Sequence, residues 1–178
     1  MDGLERMAKA ALAALPADGA ILLDSSPAAH HVAALLPADR ELIVVTNSFD
    51  VATLLSTRPK LELLLVGGHL RPGSAAVVGP WSLQALRDSF VDLAFFGADG
   101  VTPAEGASCA DEEVATFNRA AVAAARRVVV LAEHTALGRA HPVSFATLAD
   151  VDTVVTDAGA DPELLRAITV AGPQTVVA

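Results

Sequence analysis

The chain has 178 residues, 53% of them hydrophobic, a net charge of −9, a pI of about 4.8 and a mean hydropathy of +0.48. These values exclude a disordered chain and suit one domain with a real core. They argue against nucleic-acid binding through the chain's own surface, which needs a basic face, and no apolar run approaches the ~20 residues that span a bilayer. The opening MDGLERMAKAAL does not read as a signal peptide, and a lone cysteine, Cys109, excludes an internal disulfide, so a reducing cytoplasm is the expected compartment.

Leu4, Met7, Ala8, Ala11, Leu12 and Leu15 share one face of a helix over 4–15, ended by Pro16 and Gly19. ILLD (21–24) is a short strand. Ser26-Pro27 then reads as an N-cap with proline at the first helical position, opening a helix to about Leu36. A strand over 41–47, a helix over 48–57 and a strand over 61–68 follow. The loop HLRPGSAAVVGP leads to a helix near 81–89 and a fourth strand, VDLAFFGADG. The segment 111–126 is helical, with acids at its start and Arg126-Arg127 at its end, as the helix dipole favours. VVVLAEH (128–134) and TVVTD (153–157) are further strands. A helix over 162–167 and a small strand or two close the chain. The strands are apolar without alternation, so both sheet faces are expected to be covered. The fold class is therefore α/β, a mostly parallel sheet flanked by helices.

In such sheets ligands bind beyond the carboxyl ends of the strands. Those ends read Asp24-Ser25-Ser26, Thr46-Asn47-Ser48, Gly67-Gly68-His69, Gly97-Ala98-Asp99-Gly100, Glu133-His134-Thr135 and Thr156-Asp157. Together they describe a crevice of hydroxyls, amides and acids suited to a polyhydroxylated small molecule. Singly, each has a plainer meaning. Asp24, Ser26, Asn47 and Ser48 are equally helix caps, Gly67-Gly68 a turn, and Asp99 an ordinary turn residue. His30 and His31 read as partly exposed helix residues, and the five histidines lack metal-ligand spacing, so neither metal nor cofactor is expected. Cys109 lies in a loop with no evident activating base. GxGxxG, Walker and GxSxG patterns are absent.

The ordered set ILLD-SS, VVTNS, LLLVGGHLRP, VVGP, DLAFFGADGV and VVVLAEHTALGR resembles the effector-binding domain of the DeoR family of bacterial transcription regulators, from about residue 4 to 157. The resemblance implies a Rossmann-like three-layer fold akin to ribose-5-phosphate isomerase, glucosamine-6-phosphate deaminase and the CoA transferases. It also implies a sensor of phosphorylated sugars or related metabolites. In the family a winged helix-turn-helix precedes this domain. Here residues 1–178 are expected to be the effector-binding domain alone, an excised piece rather than a natural stand-alone sensor. DNA contact is then expected only through that other domain.

The departures from the family pattern carry information. Its usual Asp-x-Gly-Ser/Thr-Thr-Thr loop places hydroxyls at a helix N-terminus, where phosphate binds. Here it reads Asp24-Ser25-Ser26-Pro27-Ala28-Ala29, and proline has no N–H to donate. A family Glu and Lys, four apart on the later helix, correspond to Val114 and Asn118, beside a retained Arg119 and a neighbouring Glu113. The motif Asp-x-Ser-Lys-x-Gly is Glu133-His134-Thr135-Ala136-Leu137-Gly138. Lys9 and Lys60, the only lysines, lie elsewhere, Lys60 at the end opposite the crevice. The cations left for a phosphate are Arg71, Arg119, Arg139 and His134.

The expectation is a sensor domain that binds a sugar phosphate or polyol-like effector and couples it to the geometry of a homo-oligomer. Its candidate ligand contacts are Asp24, Ser25, Ser26, Thr46, Asn47, Ser48, Gly67, Gly68, Gly97, Asp99, Gly100, Arg119, Glu133 and His134. The alternatives are an isomerase-like enzyme using Asp99 or Glu133 as base, and an oligomerisation domain whose pocket has decayed.

Overall fold

The computed structural model describes residues 2–178. Six helices and twelve strands run in the order α1 (Gly3–Ala11), β1 (Gly19–Leu23), α2 (Pro27–Ala34), β2 (Leu42–Thr46), α3 (Phe49–Leu55), β3 (Leu61–Leu65), β4 (His69–Leu70), β5 (Val77–Val78), α4 (Pro80–Leu86), β6 (Leu93–Gly97), β7 (Gly100–Thr102), β8 (Gly106–Cys109), α5 (Glu112–Ala124), β9 (Val128–Leu131), β10 (Val143–Ala146), β11 (Thr153–Thr156), α6 (Pro162–Val170) and β12 (Gln174–Val177). The main sheet has seven parallel strands in the order β12-β11-β9-β6-β1-β2-β3. From β1 the chain first steps outward through β2 and β3. It then restarts at β6 on the other side of β1 and steps outward again. The strand order therefore reverses between β1 and β6, the kind of position where open α/β sheets form a ligand crevice.

Residue alternation on the central strands builds two cores. Ile21, Leu23, Leu93, Phe95, Val129 and Leu131 pack with Met7 of α1, Val32 of α2 and Leu55 of α3. Leu22, Ala94, Phe96, Val128 and Val130 face the other way, onto Leu86 of α4, Phe117 of α5, Ile168 of α6 and Phe145 of β10. The result is the expected three layers. The expected cover fails on part of one edge, where Ile43 of β2 is 36% exposed and Leu64 of β3 47% exposed.

Several elements depart from their sequence reading. The first helix stops at Ala11 and tightens into a 3₁₀ turn over Leu12–Ala14. The strand expected over 61–68 ends at Leu65, and the loop after it contains the antiparallel hairpin β4–β5. The fourth strand ends at Gly97. Gly100 instead opens β7, which joins β8 and β10 in a separate antiparallel sheet, and Cys109 closes β8 rather than lying in a loop. Helix α5 ends at Ala124, so Arg126 and Arg127 lie beyond its last turn. The Arg127 guanidinium instead donates to the Ala14 carbonyl at 2.5 Å, capping the 3₁₀ turn across the molecule.

Phe96 is fully buried, with its ring 5.7 Å from that of Phe145, whereas Phe90 is 75% exposed. Phe96→Ala is expected to destabilise the fold by about 3–5 kcal/mol and Phe90→Ala by less than ~0.5 kcal/mol, read as the shift in urea midpoint.

Candidate functional site

The crevice is organised by Asp24, one residue beyond β1 and 1% exposed. Its Oδ1 accepts the Ser26 amide at 3.0 Å and the Ser26 hydroxyl at 2.5 Å. Its Oδ2 accepts the Gly97 amide at 3.2 Å and the Asn118 side-chain amide at 3.3 Å. One carboxylate thus joins β1, the start of α2, the end of β6 and the middle of α5. A Cβ at Gly97 would lie 2.5 Å from Cβ and Oγ of Ser26, so the close approach of β6 to α2 needs glycine there. Burial pushes the Asp24 carboxyl up to about 6, against the opposing pull of the donors from Ser26, Gly97 and Asn118. Asn118 is itself buried, and its Oδ1 has no hydrogen-bond partner among the described residues.

Above Asp24 lies a crevice of about 550 Å³. Ser25, Ser26, Gly97, Asp99 and Glu133 line it, as do Thr135, Arg139, His141, Asp111 and Ser74. Asp99 is exposed. Its backbone N–H donates to the Ser108 carbonyl at 3.0 Å, and its Oδ2 accepts the Ala110 amide at 3.2 Å, which sets the carboxylate at the crevice wall. A second, wider lobe of about 980 Å³ shares Ser25, Ser26, Pro27 and Ser74 with the first. Ser48, His30, His31, Arg71 and Asp50 also line it.

The remaining sequence candidates lie around these lobes without lining them. Thr46 is buried, donating to the Leu23 carbonyl at 2.7 Å and accepting the Ser48 amide at 3.0 Å. Asn47 donates to the Val77 carbonyl at 3.1 Å and its own carbonyl accepts the Val77 amide at 2.7 Å, pinning the β4–β5 hairpin that walls the wide lobe. Gly67 accepts from Ser82, and Gly68 borders an apolar recess with Trp81. A Cβ on Gly100 would fall 2.3 Å from the Arg139 carbonyl, so that glycine accommodates the 134–141 loop. Arg119 points outward from α5 and donates to the Ser144 carbonyl at 2.6 Å. His134 pairs with Asp157, Nδ1 to Oδ1 at 2.6 Å, and its amide donates to the other oxygen at 2.8 Å. Burial works to raise the Asp157 carboxyl, but these bonds and the Gly159 amide outweigh it and hold it below the ordinary range.

His141 and Ser74 are lining residues that the strand-end reading does not contain, Thr135 stands at one of those strand ends without being named a ligand contact, and Arg139 enters only as a possible cation. All sit in loops that fold back. The Gly138 amide bonds the Val101 carbonyl at 2.8 Å and carries residues 135–141 over the crevice, a long-range contact with no local signature. Arg71 is held at the rim by Asp111 at 2.7 Å and by Glu113. Lys60 borders a recess with Gly19 and Glu41 at the opposite end of the strands. Burial first, then the charges of Asp99, Asp111 and Asp24, push the Cys109 thiol up to about 11, which disfavours the thiolate.

The raised Asp24 carboxyl has a defined pH signature. Below about pH 4 it is protonated in both folded and unfolded chains and imposes no penalty. As pH rises to about 6 the unfolded chain loses the proton first, and stability falls by roughly 3 kcal/mol from this group. Asp24→Asn removes that slope. The stability difference between variant and wild type is expected to move in the variant's favour by roughly 2–3 kcal/mol between pH 4 and 7 in urea titrations. A difference that stays flat would show that Asp24 titrates as an ordinary carboxylate.

The fold and site have counterparts in known proteins. A profile of the family described as the DeoR C terminal sensor domain matches residues 2–158. The "HTH-type transcriptional regulator GlpR" of Haloferax volcanii is 30% identical over 176 residues, 99% of this chain and 69% of that protein. The "Glycerol-3-phosphate regulon repressor" of Escherichia coli K12 is 25% identical over 165 residues, 93% of this chain and 66% of the repressor. Ribose-5-phosphate isomerase A from Methanocaldococcus jannaschii superposes with a TM-score of 0.55 at 18% identity, over 75% of this chain and 53% of the enzyme, which speaks for the fold alone. The chain spans about half to two thirds of the length of the curated relatives it matches. With a family match across most of its length and the strand-order reversal of the isomerase-like fold, this chain belongs to the DeoR C-terminal sensor domain family.

Proposed function

We propose that the crevice beside Asp24 binds a small polyhydroxylated effector, a sugar phosphate or a related polyol. Occupancy then biases the arrangement of subunits, and so of DNA-binding domains attached to them. The observation that carries this reading is the crevice itself. It sits at the strand-order reversal and presents Asp99, Glu133, Ser25 and Thr135, a set that accepts from and donates to hydroxyl groups. Regulators dominate the relatives, among them repressors of the glycerol-3-phosphate regulon. No bond need be broken for such a role. A ligand need only bind one arrangement better than another.

Two features support coupling. Leu4 of α1 lines the crevice, so α1 feels the ligand directly, and in the family this helix follows the DNA-binding region. Exposed apolar side chains also stand on the edge strand β3 and on the elements that follow it: Leu64 at 47%, Leu65 at 45%, Leu70 at 47% and Trp81 at 77%. Exposed apolar surface of this kind marks association, and we assign it to contact with a second copy.

A thermal-shift panel of sugar phosphates, free sugars and polyols tests the effector reading. A ligand at 100 times its Kd is expected to add about 2.7 kcal/mol, a rise in Tm of about 5–10 °C, and Asp99→Ala is expected to reduce it. No shift with any member would contradict the reading. Light scattering on the eluting protein tests association. Wild type is expected as a dimer or larger, and Leu64→Glu with Trp81→Glu as a folded monomer; a monomeric wild type would overturn the assignment.

A further inference from the structure

The two lobes of the crevice differ in charge. The Asp24 lobe holds Asp24, Asp99, Asp111 and Glu133 against Arg139 and His141. The start of α2, which faces it, has few donors to spare: the Ser26 amide is bonded to Asp24, Pro27 has no N–H, and the Ala29 amide is taken by the Ser26 hydroxyl at 3.1 Å. An anionic group placed there would meet carboxylates and find helix donors already in use. The wide lobe carries fewer acids. Asp50 is its one acid among the described lining residues, set against His30, His31 and Arg71, with Ser48 and Ser74 supplying hydroxyls.

Arg71 suits an oxyanion in a specific way. Its guanidinium has five N–H donors, of which the ion pairs to Asp111 and Glu113 engage one terminal nitrogen each. Asp111 also caps α5, accepting the Glu113 and Val114 amides at 2.9 and 3.1 Å, and so fixes the guanidinium from a rigid base. Glu113 is half exposed and is the partner an incoming anion would displace. The planar fork then offers the paired donors that phosphate geometry requires.

Building on the effector reading above, we propose that the wide lobe is an oxyanion subsite. His30, His31 and Arg71 hold the phosphate ester of the effector there, while its hydroxyls turn towards Asp99 and Glu133. The ligand thus lies across Ser25, Ser26 and Ser74, which both lobes share. The phosphate sits beside α2 rather than on its capped N-terminus.

Inorganic phosphate is the direct probe. Titrated into the isotope-labelled 178-residue chain, it is expected to shift the amide resonances of His30, His31 and Arg71 while leaving Gly97, Asp99 and Glu133 in place. Arg71→Gln and His30→Gln are each expected to weaken phosphate by about tenfold, and Glu113→Gln, which removes the competing carboxylate, to tighten it by a few fold. Shifts centred on residues 24–28 and 97–99, or no shifts at tens of millimolar phosphate, overturn the subsite. The same protein in the sugar panel separates the two claims. Stabilisation by sugars with phosphate absent from the histidines leaves the effector reading standing and removes the subsite. Phosphate at the histidines with no sugar binding does the opposite.

Discussion

The site depends on one buried carboxylate. Asp24 gathers donors from Ser26, Gly97 and Asn118, and those three residues belong to the start of α2, the end of β6 and the middle of α5. A charge in that position is expensive to desolvate, which is why its carboxyl is pushed up to about 6. Its partners offset part of that cost and in return are placed with little freedom. Gly97 must remain without a side chain, because Ser26 occupies the space a Cβ would take. The crevice exists where it does because the strand order reverses between β1 and β6, and Asp24 holds the two sides of that reversal together.

Much of this was legible in the sequence because the strands carry strong local signals. ILLD, ELIVVT and VVVLAE are short apolar runs closed by polar residues, and their apolar parts fall in the parallel sheet. The polar strand ends placed Asp24, Ser25, Ser26, Gly97, Asp99 and Glu133 together, and they line one crevice. What the sequence did not reveal depends on pairing at a distance. The small sheet of β7, β8 and β10 uses GVT, GASC and VSFA, segments too short and too small in side chain to announce strands. Arg139 and His141 reach the crevice only because the loop after β9 folds back onto Val101. Thr46 and Asn47 look like ligand contacts in sequence because hydroxyls and amides serve ligands and backbone alike. Here both bond to neighbouring backbone, at Leu23 and Val77.

Asn118 shows how a single residue type resets the chemistry. It stands where the family pattern has lysine, and its amide donates to Asp24 without supplying a charge. With a neutral partner, the Asp24 carboxylate is stabilised by hydrogen bonds alone, and burial holds its carboxyl up at about 6. The positive groups of the site lie instead at the crevice margins, on Arg139 and Arg71. Positive charge stands at the rim of the crevice rather than on its floor, and the ligand's own charge is expected to lie there.

The most direct test of the central claim is a crystal structure of the chain grown with the sugar phosphate that stabilises it most. The account predicts ligand hydroxyls within hydrogen-bond distance of Asp99 and Glu133, above Asp24, with the phosphate beside His30, His31 and Arg71. A ligand seated elsewhere, in the apolar recess at Trp81 or at the Lys60 end of the strands, would contradict it.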